Sequence, residues 1–207
     1  MIKDYTIEKI LEEVSSGTPV PGGGSVSCLA AALSASLVSM VCNLTLGRKR
    51  YQKYEVEVKK ILETSCKLRE EFLLLAEKDT EVFSEVMKAY HLPQTTEEEK
   101  LARKKAVEEA TKRAALVPMD VLRRCETLGE QCLSIAAKGN ENSINDAGMA
   151  AIMAYAAAQG ASFNIMINLS TISDEDFVSK LKTEQARVLK IVKDLYCETK
   201  QLVEKKI

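Results

Sequence analysis

Apolar positions return at a helical period along nearly the whole chain. Ile7, Ile10, Leu11 and Val14 form one stripe of a short first helix, which Ser15, Ser16 and Gly17 end. A second helix is predicted from Ser25 to Thr45, with Ser25 as its N-cap and Gly47 as its stop. The amphipathic stretch from Tyr51 to His91 predicts a long third helix ended by Pro93. Thr96, Glu97, Glu98 and Glu99 have the form of a capping box, opening a charged helix that runs to Leu116. Pro118 suits the first turn of a following helix, which extends to Lys138 before Gly139 and Asn140 break it. A sixth helix covers an uncharged run, and Ser173 with Asp176 predicts a capping box for a final amphipathic helix. No stretch alternates as a strand does. The pattern therefore predicts an all-α fold, a multihelical bundle of about seven helices forming one domain over residues 1–207.

Two runs stand apart. No residue between Val14 and Gly47, or from Ala147 to Ser173, is charged. Either is long enough to cross a bilayer. Both are rich in Ala, Ser and Gly rather than Leu, Ile and Phe, and they carry Asn43, Gln159, Asn164 and Asn168, so transfer into lipid is unfavourable and no membrane association is expected. They suit buried helices in close contact. Cys28, Ala32, Ala35, Ser39 and Cys42 give the second helix a small-residue stripe along which another backbone can approach.

Composition narrows the chemistry. Apolar residues make up 46% of the 207, while 29 basic and 30 acidic side chains nearly cancel, so no net field draws in nucleic acid. The amino-terminal MIKDYTIEKILEEV has charges every few residues and no signal-peptide core, and a cytoplasmic location is expected. Six cysteines, none in a CxxC pair, read as reduced thiols rather than as disulfides or a zinc site. His91 is the single histidine, so one subunit cannot build a histidine triad or a multi-histidine metal site, and no metal is expected. Proton transfer falls to carboxylates, lysines, tyrosines or cysteines.

One carboxylate is out of place. Phe72, Ala76, Asp79, Phe83, Val86 and Tyr90 recur in steps of four and three, which sets Asp79 in an apolar seam. Burying its charge is costly without a partner. The residue is either a paired structural acid or an acid whose pKa is lifted toward neutrality and equipped for proton transfer. In TPVPGGGSVS, Thr18 to Ser27, three glycines expose backbone N–H groups at the positive end of a helix, which favours an anion or a polar ring edge. The loop lacks the Gly-Lys-Ser/Thr ending of a nucleotide-binding motif. GRKRYQKY, Gly47 to Tyr54, is a basic patch that serves as a solvated helix start or holds an anionic tail. In the polar hinge KGNENSINDAG, Lys138 to Gly148, Asp146 suits the start of the next helix or a ligand contact. Asn164 and Asn168 share a face of an apolar helix and need hydrogen-bond partners.

Taken in order, PVPGGGSVS, GRKRY, the segment from Asp79 to Phe83, HLPQTTEEEK, GNENSINDAG and NIMINL resemble one family across nearly the whole chain. It comprises the cyclodeaminase domain of formiminotransferase-cyclodeaminase and the related bacterial methenyltetrahydrofolate cyclohydrolases. The resemblance implies an all-helical fold, a homodimer with the folate site near its interface, and one-carbon chemistry on a tetrahydrofolate substrate without metal or other cofactor. It makes Asp79 the match to the family's catalytic acid/base. It also implies that Pro21, Gly22, Gly23, Gly24 and Ser25 admit the pterin, that Asn140, Asp146, Asn164 and Asn168 orient it, and that Arg48, Lys49, Arg50 and Tyr51 receive the glutamate tail. Gln94 stands where the family pattern has Lys, Val82 where it has Ala, and Asn145 where it has Ser.

The principal expectation is cyclodeamination: the anilinic nitrogen of 5-formiminotetrahydrofolate attacks the formimino carbon, ammonia leaves, and the methenyl ring closes. The alternative is the cyclohydrolase reaction, in which water adds to the methenyl carbon and the ring opens to 10-formyltetrahydrofolate. A third reading, a non-enzymatic helical oligomer, accounts for the uncharged runs but leaves Asp79 and the triple glycine without purpose.

Overall fold

A computed structural model describes residues 2–207. Six α-helices account for most of them: α1 (Ile7–Ser15), α2 (Gly23–Thr45), α3 (Glu55–Tyr90), α4 (Glu97–Lys138), α5 (Ile144–Leu169) and α6 (Glu175–Lys206). Short 3₁₀ turns precede α1, α3 and α5, and the described residues contain no strand. Helices α2 to α5 form a four-cornered bundle in which α2 packs on α3 and α5, and α4 packs on the same two from the opposite corner. Helix α6 lies against α4 and α5. Phe72, Met119, Leu122, Leu128, Ile135 and Ile165 are the largest side chains fully enclosed between these helices.

The expected small-residue stripe on α2 is buried from Cys28 to Cys42. It lets α3 come close enough for the Ser39 and Ser65 hydroxyls to lie 2.8 Å apart. The Thr96–Glu99 capping box is present, with Glu99 N–H donating to Thr96 Oγ1 and Thr96 N–H to Glu99 Oε2. Gly47 takes a left-handed φ of 76°, which turns the chain out of α2 without the strain a Cβ would bring.

Several local expectations give way to tertiary contacts. Pro118 does not begin a helix: α4 runs unbroken from Glu97 to Lys138 through it, so the count is six and not seven. The missing N–H and ring crowding disfavour this locally. Pro118 is buried, on a helix that packs against α3, α5 and α6 along its length, and the small Ala114 and Ala115 lie one turn ahead of it. Ser173 is not the cap of α6. Asp174 is, accepting from Phe177 N–H at 3.0 Å, and its carboxylate is fixed further by Lys112 at 2.9 Å. Ser25 is not the cap of α2 either, because that helix begins two residues earlier, after Gly22.

The two uncharged helices are only partly buried. Val26, Leu33, Met40 and Leu44 on α2 are exposed, as are Met149, Ile152, Phe163, Met166 and Ile167 on α5. By length and composition both helices could cross a membrane, yet about half of each is enclosed by the bundle. Helix α1 buries no residue at all, so its stripe of Ile7, Leu11 and Val14 faces outward.

Leu122 sits on α4 with no exposed surface, among residues of the main core. Leu122→Ala should lower unfolding free energy by about 2–5 kcal/mol in chemical denaturation, combining lost transfer energy with a residual cavity.

Candidate active site

The seam on α3 bends as it leaves the bundle. Phe72 and Ala76 are fully buried, but beyond Asp79 the buried positions are Val82 and Ala89 rather than Phe83 and Tyr90. The reason is the start of α2. Gly23 marks the level at which α2 begins, and α3 continues past it for another turn and more, so Phe83 and Tyr90 lie where α2 no longer covers that face. Phe83 lines an open hollow of about 400 Å³ with Val20 and Met87, and Tyr90 lines a separate cavity of about 230 Å³ against the first turns of α4.

Asp79 stands where the cover ends. Its carboxylate lies against the first turn of α2, with the Ser25 hydroxyl donating to Oδ2 at 3.0 Å. A Cβ at Gly24 would come within 2.7 Å of the Asp79 Cγ and closer still to both oxygens, so only glycine admits the acid at this place. The anion expected at the glycine-rich helix start is therefore the protein's own carboxylate. Burial pushes the Asp79 pKa above the usual carboxylate value, while hydrogen bonds from the Ser25 hydroxyl and backbone N–H pull it back. Burial also drives the thiol of Cys28, one turn along α2, up to about 12, and the charge of Asp79 adds to that shift. The thiol thus stays protonated and unreactive at neutral pH.

Asn164 of α5 completes this end of the bundle, its amide nitrogen 3.8 Å from where a Gly23 Cβ would stand. Asn164 and Asn168 each donate to the backbone carbonyl four residues earlier, Gly160 and Asn164, at 2.8 Å. These bonds leave their amide oxygens available as acceptors for a ligand. Pro21 and Gly22 form the edge of the same loop, joined to Val20 by a cis Val20–Pro21 peptide.

The remaining expected site residues gather elsewhere. Asn140 donates its backbone N–H to Thr45 Oγ1 at 2.8 Å and its side-chain amide to Leu44 O at 3.1 Å. Tyr51 accepts from Glu141 N–H at 3.0 Å, and Arg50 pairs with the Glu141 carboxylate. Arg48 and Lys49 lead into that same turn, and Asp146 occupies the first turn of α5. All of these lie at the C-terminal end of α2, about 33 Å from its start at the helical rise per residue. One chain does not bring them to Asp79. The physical reason is the antiparallel course of the bundle, which sends the loops after α2 and α4 to the end opposite the glycine loop.

Two further groups on α3 went unnoticed in the sequence. One carboxylate oxygen of Glu77 and the Thr80 hydroxyl are buried without a protein partner, on faces of the helix other than that of Asp79. Neither breaks the helical pattern, so nothing in the sequence marks them. Among the described residues no three His, Cys, Asp or Glu side chains cluster closely enough to hold a metal ion. All six cysteines are free, with Cys66 and Cys197 only partly buried.

The arrangement defines a helical protein that holds one lifted carboxylate at a glycine-rich helix start, a site suited to moving protons on a bound organic molecule. The comparisons agree with that class. The family profile for formiminotransferase-cyclodeaminase matches residues 6–187. Methenyltetrahydrofolate cyclohydrolase of Methylorubrum extorquens is 41% identical over 180 residues, covering 87% of this chain and 86% of that protein. Formimidoyltransferase-cyclodeaminase of Gallus gallus is 31% identical over 93% of this chain, which spans only 36% of the longer chicken protein. The crystal structure of formiminotetrahydrofolate cyclodeaminase from Thermotoga maritima superposes with a TM-score of 0.90 at 32% identity, covering 99% of this chain and 98% of that one. The chain belongs to the formiminotransferase-cyclodeaminase family of folate one-carbon enzymes.

Replacing the acid tests its burial. A carboxyl whose folded pKa is raised adds no penalty below its unfolded pKa, and stability falls as pH rises through the folded value. Asp79→Asn should therefore melt higher than the parent at pH 7 and gain nothing at pH 3, as read by thermal denaturation at the two pH values. An equal shift at both would contradict a lifted pKa.

Proposed function

We propose that this enzyme hydrates 5,10-methenyltetrahydrofolate to 10-formyltetrahydrofolate, with Asp79 as its acid/base. This reverses the order expected from the sequence, where cyclodeamination came first. The 41% identity to a cyclohydrolase over most of both chains supports the reversal. The Asp79 carboxylate at the Gly24–Ser25 turn is the observation that carries the chemistry.

In this reading the bridging carbon of the substrate lies beside Asp79 as part of a cation shared between two nitrogens. An ionised carboxylate favours binding of that cation and takes a proton from the attacking water as its oxygen bonds to the carbon. The bond from carbon to the ring-side nitrogen then breaks, that nitrogen takes the proton back from Asp79, and the hydroxyl proton passes to solvent. The raised pKa makes Asp79 a stronger base in its ionised form, and so a better proton acceptor from water, than an ordinary carboxylate. The Ser25 hydroxyl holds Oδ2, and in this reading the other oxygen takes the proton from water. The pterin is placed against Pro21 to Gly24, within reach of the Asn164 and Asn168 amide oxygens. The folate is substrate, and no further cofactor enters the scheme.

Cyclodeamination is the second reading, favoured by the match to the Thermotoga maritima cyclodeaminase along the full length of both chains. It uses the same acid to take the proton from the attacking nitrogen and deliver it to departing ammonia.

Self-association follows from the uncharged outer faces. Exposed apolar positions on α2 and α5 carry no charge that a second copy would have to desolvate, and a patch of this extent is unusual on a lone chain. We propose a homodimer that buries them.

Incubated with each folate, the protein should consume methenyltetrahydrofolate with loss of its absorbance and formation of 10-formyltetrahydrofolate. The rate should decline as pH falls through the Asp79 pKa, because the base form is lost. Asp79→Asn should reduce turnover by about a hundredfold or more. Ammonia release from 5-formiminotetrahydrofolate with no hydration of the methenyl compound would select the second reading.

Light scattering should give a mass near twice the 22.8 kDa of one chain. Leu33→Glu, at a position 58% exposed in the single chain, should shift that mass toward the monomer without unfolding it. A parent protein that is already monomeric would refute the dimer.

A further inference from the structure

The row of α2 that the bundle leaves open has a symmetry of its own. Val26, Ala30, Leu33, Leu37, Met40 and Leu44 recur in steps of four, three, four, three and four. Val26, Leu33, Met40 and Leu44 are exposed, and Ala30 and Leu37 lie half-buried between them. The order of steps is the same from either end, so a second copy running antiparallel meets the row in register. Val26 then faces Leu44, Ala30 faces Met40, and Leu33 faces Leu37. A parallel pairing would match the row equally well. Apolar contact therefore leaves the direction undecided.

Charge decides it. No residue between Val14 and Gly47 is charged, and the nearest charges on the two sides are of opposite sign. Before α2 stands α1, where Glu8, Glu12 and Glu13 outnumber the single Lys9. Lys9 pairs with Glu12 and Glu13, and Glu8 has no ion pair among the described residues. After α2 come Arg48, Lys49, Arg50 and Lys53. Arg50 pairs with Glu141, whereas Arg48, Lys49 and Lys53 have no ion pair among the described residues. A parallel dimer would set acidic helix against acidic helix and basic turn against basic turn, which repel. An antiparallel dimer instead brings each α1 to the partner's basic turn, once at each end of a row about 27 Å long.

Helix α1 is shaped for that contact. It buries no residue in its own chain, and Ile7, Leu11 and Val14 face outward along one side, with Glu8 and Glu12 flanking the stripe. The short turn Ile2–Asp4 ahead of it packs on α3, and Ile2 is buried there, so α1 is held at the rim of the bundle. We propose that the homodimer pairs α2 antiparallel with α2, and that α1 of each subunit clasps the basic turn of the other, its glutamates facing the partner's Arg48 and the partner's Lys49. This rests on the self-association proposed above. The clasp also ties the loop from Ser16 to Gly22, which leads from α1 to the Asp79 contact, to the border between subunits.

The test exchanges the two sets of charges and follows the dimer dissociation constant at low salt by diluting fluorescently labelled protein. Glu8→Lys/Glu12→Lys alone, and Arg48→Glu/Lys49→Glu alone, should each weaken the dimer by roughly tenfold, the size expected when a few exposed ion pairs turn repulsive at two symmetric contacts. The chain carrying all four substitutions should return toward the parent's value, because each acid then meets a base again. Near 1 M salt the parent and the variants should converge. All four side chains are exposed in the single chain, so helical content by circular dichroism should not change. A dimer that neither exchange weakens, or one that the combined exchange does not restore, would overturn the clasp while leaving the dimer standing. A tighter dimer in either single exchange would point to the parallel pairing and overturn it as well. A parent that is monomeric at every concentration would remove the reading on which the clasp rests.

Discussion

Contact between the Asp79 carboxylate and the first turn of α2 is the constraint around which this end of the molecule is organised. A negative charge at a helix start is favoured by the free N–H groups and the dipole there, and disfavoured by removal from water. Neither tendency wins outright. The acid is lifted above the usual carboxylate range by burial and partly held back by Ser25. Gly24 makes the balance possible, since a side chain of any size there would drive the carboxylate off the helix end.

That contact also explains the glycines. In the sequence they suggested space for a ligand, and the occupant proves to be a side chain from 55 residues along the chain, counted from Gly24 to Asp79. The helical content, the odd carboxylate and the small-residue stripe on α2 were all legible, because each is a periodic pattern that one helix carries by itself. The unbroken course of α4 through Pro118 was not, since the packing of the whole helix against its neighbours outweighs a local stop signal. Nor was the shift from Ser25 to Gly22 as the cap of α2, because the carboxylate that engages that first turn comes from another helix.

The basic residues show the same limit more sharply. GRKRY reads as a solvated helix start or as a holder for an anionic tail, and it folds to the end of α2 remote from the acid of the same chain, with Arg50 paired to Glu141. Other cations were hidden in an ordinary charged helix, where Lys100, Arg103 and Lys104 look like a solvated face. Only the antiparallel return of α4 beside α3 sets them against Tyr90. Charge is visible in a sequence, whereas which end of a bundle it reaches depends on topology.

Because α3 runs on past the start of α2, the length of its Asp79 face left uncovered is governed by the register of one helix end rather than by a movable flap. A turn added ahead of Gly23 would shorten that uncovered stretch by about 5.4 Å while keeping the Gly24–Ser25 contact with the acid, whereas a turn removed would take the contact away. Within this architecture, the size of guest a member can house is thus an adjustable dimension, set like the stop on a slide.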